Sequence, residues 1–398
     1  MIRDRIIVCI ASRWDYDPTS KHQVMKLLAR HNDVVWVNYR GTRRPRANSA
    51  DIGAVASTLT RVLQGVQRAG PRMVQLTPLV IPGATHRVSQ SVNRRLLGGQ
   101  IRRAVRQVRR RHDRPVQLWT YAPDVWFLAD AVGYERLVYY CVDEYSEFKG
   151  FDSQAMARAE QRLIERADVV ITTSGALYES KRRLRPDVHL VRHGVDAPHF
   201  ARALDNGLEV PPDLIGLKRP RLGFFGLIHH WIDCDLIESV ARRRPEYSFV
   251  LIGADHRNHS GLLRQPNVHL LGRRSYASLP AYCKAFDAAL LPFVRSRMTE
   301  NINPIKLREY LAAGLPVVST PLPEADRYRP DVLIAADAES FARGCDEAVA
   351  QSSPSRRKAR SRRVADETWE AVVEKLSRIV GGSQPAPPVD MPAVVPAS

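Results

Sequence analysis

Lys306 and Glu309 stand three residues apart in the run Asn303-Pro304-Ile305-Lys306-Leu307-Arg308-Glu309. On a helix, that spacing puts an ammonium and a carboxylate on one face, a turn apart. Asn303 is expected to cap such a helix, with Pro304 in the first turn, where a missing N–H is harmless. A helix N-terminus offers unpaired N–H groups and the positive end of the dipole, a setting for an anion such as a diphosphate. Helix stability favours Asp or Glu in the first turn, so Lys306 there points to a bound anion. Glu309 can accept from a ribose diol lying beside the phosphates. The pair reads as a nucleotide-phosphate site.

The elements that must position the pair follow from the surrounding pattern. Ile305, Leu307, Tyr310 and Leu311 recur at spacings suited to packing one side of a helix on a sheet. Gly314 ends the helix, and Leu315-Pro316 leads into the short β-branched run Val317-Val318-Ser319. The same alternation of strand and helix fills two stretches of the chain, separated by a proline-rich segment without a clear period. The expected fold class is therefore α/β, with two Rossmann-like domains facing each other. In open α/β sheets, ligands collect where the strands end. Asp143 and Glu144 directly follow the strand Leu137–Val142. Asp15, Asp17 and His22 follow the first strand and are candidates for acceptor contact.

The stretch from Thr299 to Thr320 resembles the signature of retaining glycosyltransferases of the GT-B fold, in the large family-4 group. It is similar to the branch that builds teichuronic-acid-like and other bacterial surface polysaccharides. In that group a carboxylate, seven residues and a glutamate precede an Ala-Gly-x-Pro-Val turn. The glutamate corresponds to Glu309, whose implied role is to hold the nucleotide ribose. The first carboxylate corresponds to Asn301, a departure at a position that touches the donor sugar, with Glu300 adjacent. Gly226, Trp231 and Asp233 match that branch's Gly-x-x-x-x-Trp-x-Asp loop, where backbone N–H groups around Gly226, with His229 and His230, would meet the diphosphate. Gly272 and Arg273 would pack on the base. Asn303, Ile305 and Lys306 complete the implied donor site, and Asp143 and Lys306 are the implied catalytic residues. Arg192-His193-Gly194-Val195-Asp196 resembles the family's Asn-Gly-Val-Asp segment, with His193 in place of Asn.

The resemblance implies a GT-B architecture. Residues 1–202 would form the acceptor domain, 203–220 the linker and 221–360 the nucleotide-sugar domain. A helix over 361–380 would return to the first domain, ahead of a disordered tail over 381–398. It also implies a nucleotide-sugar donor, a lipid-linked or glycan acceptor, retention, and chemistry without a metal or other cofactor.

Composition sets the surroundings. A net charge of +18 over 398 residues favours anionic partners. The segment from His86 to Arg114 carries Leu97, Ile101, Val105 and Val108 at helical spacing among arginines, a basic amphipathic helix of the kind that lies on anionic membrane surfaces. Nucleic acid is not expected as a partner, because no aromatic or base-reading residues accompany these arginines. Five scattered cysteines without a Cys-x-x-Cys pair argue for reduced thiols. No run of about 18 apolar residues occurs. The expected location is the cytoplasm, at its membrane face if the basic helix docks there. Two alternatives stay open on residues alone: a GT-B epimerase or phosphorylase, and a non-catalytic basic binding protein on the same scaffold.

Overall fold

The structure, a computed structural model, describes residues 1–16, 18–39, 60–81, 87–109, 113–148, 150–256 and 259–382. Strand β1 (Ile6–Ala11) is buried along its whole length. Its side chains alternate between two cores: Ile6, Val8 and Ile10 face one, while Ile7, Cys9 and Ala11 face the other. A continuous apolar run is what a central parallel strand needs when both faces are covered. Around it lie β2 (Asp33–Asn38), β3 (Val66–Gly70), β4 (Met73–Leu76), β5 (Val116–Thr120), β6 (Arg136–Cys141), β7 (Val169–Thr172) and β8 (Val188–Leu190), in the order β3-β4-β2-β1-β5-β6-β7-β8. Only β3 pairs antiparallel, against β4.

The second sheet holds β9 (Arg221–Phe225), β10 (Ser248–Ile252), β11 (Val268–Gly272), β12 (Ala288–Leu291), β13 (Val317–Ser319) and β14 (Val332–Ile334). Its order is β11-β10-β9-β12-β13-β14, and every pairing is parallel. The order reverses direction between β9 and β12, the crevice where doubly wound sheets bind ligands.

The helix Trp369–Val380 belongs spatially to the first domain. Trp369, Val372, Val373, Leu376 and Val380 are buried in the core that holds Ile7 and Cys9, and Ser377 Oγ accepts from the Ile2 N–H at 2.9 Å. The crossover between the domains comes slightly earlier than expected. Val195, Ala197 and Phe200 already lie in the second domain's core, ahead of residue 202. The 203–220 stretch is not an open linker, since Ala203 and Leu214 are buried in that same core. The tail from 383 onward lies outside the described residues.

All five cysteines are buried and free. Among the described residues no helix is long and apolar enough to cross a membrane. The basic segment forms the helix Arg87–Arg109, with Leu97, Ile101, Ala104 and Val105 buried against the first sheet.

Candidate functional site

The helix Ile305–Ala312 is pinned to the end of β9 by Tyr310. Its hydroxyl accepts from the Phe225 N–H at 2.9 Å, and its ring meets Phe225 edge-on, with centroids 4.7 Å apart. Lys306 is four residues before Tyr310 and shares its helix face, so the same contact sets the lysine over the loop after β9. Gly226 lies beneath it. A Cβ there would come within 2.0 Å of Lys306 Cε, and the glycine φ is +145°. The neighbouring Gly253 has φ +148°, and a Cβ on it would come within 1.8 Å of the Gly226 carbonyl oxygen. Two side-chain-free turns therefore leave room for a ligand between backbone N–H groups and an ammonium.

This is the floor of a cleft of about 410 Å³, lined by Pro18 from the first domain and by Gly226, Gly253, Arg273, Ser275, Tyr276, Lys306 and Glu309, among others, from the second. Glu309 sits at its inner wall, 9% exposed. Burial pushes its carboxyl up to about 7, against the pull of Lys306 and with Asp196 adding repulsion. Tyr276 stacks on His199 with ring centroids 4.6 Å apart and an interplanar angle of 10°. Burial, then Glu309 and Asp196, hold its phenol well above the usual tyrosine range. The wall thus offers a fixed aromatic face beside a carboxylate and a cation.

On the first domain, the two acids after β6 part company. Glu144 binds Lys181 at 2.6 Å, and Lys181 binds Glu160 at 2.7 Å, in a buried ion network. Asp143 is half-buried. Desolvation raises its pKa and Lys21 lowers it. Lys21 in turn lies over the Tyr121 ring, 5.6 Å from its centroid, and burial lowers its pKa. His193 completes this group. Burial, then Arg308 and Lys21, hold its imidazole down to about 3, so it is neutral, and its Nδ1 is buried without a partner.

Of the residues expected from sequence, Gly226, Arg273, Lys306 and Glu309 line the cleft, and Gly272 ends β11 beside Arg273 with φ +70°. Asn303 does not cap the helix. Pro304 is the cap residue, and Asn303 is buried, donating to the Thr173 carbonyl and accepting from Arg308, both at 2.6 Å. The bond to Thr173 ties the domains together, and the bond from Arg308 turns the amide oxygen away from the helix end. Asn301 turns its amide to the Arg297 carbonyl at 2.6 Å and does not line the cleft. Ile305 packs against the first domain's core rather than into the cleft. His229 is not among the lining residues either. It stacks on Trp231, centroids 4.3 Å apart, beside His230 and His256.

Asp15 is exposed and paired with Arg13 and Arg61. His22 is buried, with Nδ1 accepting from the Thr19 N–H at 3.1 Å and its ring between Trp14 and Trp36. Burial pushes its pKa down to about 4. It completes the capping box of the helix Ser20–Leu28 inside an aromatic cluster, and so is not free to meet an acceptor. Asp17 lies outside the described residues.

Sequence reading missed Lys21, Tyr276 and Arg308, because no spacing signal marks residues brought together from elements far apart in the chain. Asp235, Glu238 and His259 are the one His-and-carboxylate group of metal-ligand proximity among the described residues. His259 accepts from Leu262 N–H through Nδ1 and meets Asp235 through Nε2, so both ring nitrogens are occupied.

Comparison with known proteins bears on the family and the fold. Residues 219–351 match the family model described as glycosyl transferases group 1. The chain is 27% identical over 288 residues to the putative teichuronic acid biosynthesis glycosyltransferase TuaH of Bacillus subtilis (strain 168), covering 66% of this chain and 71% of the relative. The fold is shared with Anabaena Alr3699/HepE in complex with UDP and glucose (TM-score 0.64, 14% identity, 94% of this chain and 99% of that one). It is shared also with trehalose-6-phosphate from E. coli bound with UDP-2-fluoro glucose (TM-score 0.67, 10% identity, 96% and 100%). The chain is a glycosyltransferase of the GT-B fold, with a glycosyl transferases group 1 domain over residues 219–351.

Proposed function

We propose that the protein transfers a hexosyl group, with retention, from a nucleoside-diphosphate sugar to a lipid-linked or polysaccharide acceptor in bacterial surface-glycan synthesis. The observation that carries the reading is the Lys306–Glu309 pair, facing Gly226 and Gly253 across one cleft. Glu309 takes the ribose hydroxyls. Lys306 and the N–H groups near Gly226 take the diphosphate, and Arg273 with Tyr276 flanks the base. Uridine is the base to try first, since two structures sharing the fold hold UDP or a UDP-sugar.

In the reaction, the bond from sugar C1 to the phosphate oxygen breaks and its electron pair leaves on the diphosphate. The acceptor oxygen bonds C1 and gives up its proton. Lys306 stabilises the charge developing on the leaving group, usually the largest catalytic contribution, and does so without a metal. Asp143, held between burial and Lys21, contacts the sugar or receives the acceptor proton. Domain closure keeps water from the donor.

The test is thermal unfolding with UDP, GDP, ADP and dTDP in the presence of EDTA. A nucleotide at 100 times its dissociation constant adds about 2.7 kcal/mol, a shift of several degrees. Lys306→Ala is expected to lower transfer about 10²- to 10³-fold at unchanged melting temperature, and Asp143→Asn to lower kcat more than it raises KM. No shift with any nucleotide, or near-normal transfer by Lys306→Ala, defeats the assignment. Loss of transfer on adding EDTA defeats metal independence alone.

A further inference from the structure

The outward face of the helix Arg87–Arg109 has no part in the donor cleft. Val88 there is 77% exposed and Leu96 38%. Val88, Val92 and Leu96 succeed one another at four-residue steps and form one stripe. Beside the stripe runs segment 77–81, in which Leu79 is 45% and Ile81 41% exposed. That segment is held firmly. The Asn93 amide accepts from the Ile81 N–H at 2.8 Å and donates to the Ile81 carbonyl at 2.9 Å. Gln100 makes the same pair of bonds with Leu79 at 3.0 and 3.2 Å. Two amide side chains thus fix aliphatic residues in water on a rigid backing, an arrangement that marks an interaction surface.

The charge around the stripe is of one sign. Arg95 lies seven residues from Val88 and Arg103 seven from Leu96, so they share its side of the helix, and both are exposed. Neither meets a carboxylate among the described residues, and the helix itself contains no acidic residue. The stripe is also near the cleft. β4 runs parallel to β2, so segment 77–81 leaves the sheet at its carboxyl edge, where the ligand crevice lies. The helix, roughly 35 Å long for its 23 residues, then runs back toward β5, and Val88 to Leu96 occupy its cleft-side half.

We propose that Leu79, Ile81, Val88 and Leu96, flanked by Arg95 and Arg103, form a docking surface for an anionic lipid bilayer. The aliphatic chains enter the headgroup boundary and the guanidiniums meet lipid phosphates. The inference rests on the reading of a lipid-borne acceptor, and it sets the bilayer at the rim of the domain that receives that acceptor.

The test is sedimentation of the full chain with phosphatidylcholine vesicles carrying about one-third phosphatidylglycerol, at fixed ionic strength. Three double variants are compared with the unaltered chain: Arg95→Gln with Arg103→Gln, Val88→Gln with Leu96→Gln, and Arg356→Gln with Lys358→Gln. The last removes equal charge from an exposed helix of the second domain. Each surface arginine is worth about fivefold in partitioning, so the first variant weakens binding about 30-fold. The second weakens it at least tenfold at unchanged charge, and the third leaves it within about threefold. Glutamine is a good helix former, so the melting temperatures stay together.

Equal loss in the third variant shows that net charge alone is acting and overturns the proposal, as does wild-type binding by the second. A chain that responds to a nucleotide but ignores the vesicles overturns the docking surface and leaves the glycosyltransferase reading standing. Vesicle binding with the expected variant pattern, but no nucleotide response, supports the surface and removes the donor assignment instead.

Discussion

Glu309 is an acid whose folded environment disfavours its charge, and this has a measurable sign. Its pKa is raised from 4.5 to about 7, first by burial. A carboxyl raised in this way contributes stability that is complete below its unfolded value and is lost as pH rises through the folded one. The ligand-free protein is therefore expected to lose melting temperature between pH 4.5 and about 7, relative to Glu309→Gln. Thermal unfolding of the two chains across that window checks it, and parallel curves would falsify the assignment. The same strain aids binding. A desolvated carboxylate lacks solvent partners, so ribose hydroxyls that supply hydrogen bonds relieve a cost already present in the free chain. UDP affinity in this account rises with pH up to about neutrality in the wild type and is flat in the Gln variant.

Between elements, two glycines decide how near the lysine helix and the β9 loop can come. Gly226→Ala brings a methyl group into the Lys306 stem at a φ of +145°, so it displaces the ammonium as well as straining the backbone. Gly272→Ala, at φ +70°, meets nothing within 4 Å and pays only the left-handed backbone cost, about 1–2 kcal/mol. The expected outcome is that Gly226→Ala abolishes the nucleotide-induced thermal shift, whereas Gly272→Ala lowers the melting temperature by a few degrees and keeps it. Equal retention of the shift in both would show that Lys306 is not held by that approach. Helix termination works similarly. Gly314 at φ +79° would set a Cβ 2.6 Å from the Arg357 carbonyl oxygen, so only glycine fits the turn from the helix into β13.

At the scale of the whole molecule, polar contacts help to tie the two domains together. Glu324 accepts from the Gly175 N–H at 2.8 Å and binds Arg192 at 2.8 Å. Arg308, fully buried, binds Glu367 at 2.7 Å. Glu367 leads into the helix Trp369–Val380, so removing residues 364–382 deletes the counterion and uncovers the first domain's core together. A buried guanidinium left without its carboxylate costs about 3–5 kcal/mol by itself. Such a truncation is expected to give a chain without one cooperative unfolding transition, as followed by circular dichroism. An unchanged melt would mean that the helix is an accessory.

Much of this was legible in the chain. Short β-branched apolar runs such as Ile6–Ile10 read as central strands, and the Lys306–Glu309 spacing with Gly314 and Pro316 carries a helix and its end within 20 residues. These are local properties, set by backbone geometry and by which side chains share a face. What sequence could not disclose was which polar groups the tertiary fold would use for itself. Asn303 and His22 have the right types for a ligand, yet one bridges the domains and the other caps a helix inside an aromatic cluster. Asp143 and Glu144 are adjacent and chemically alike, and only packing gave Glu144 to Lys181 and left Asp143 beside Lys21. Tyr276 entered the cleft because His199, from the other side of the crossover, supplies a face to stack on. A buried polar group must find a partner, and for Asn303, Glu144 and Tyr276 that partner comes from a distant part of the chain, which no local pattern encodes.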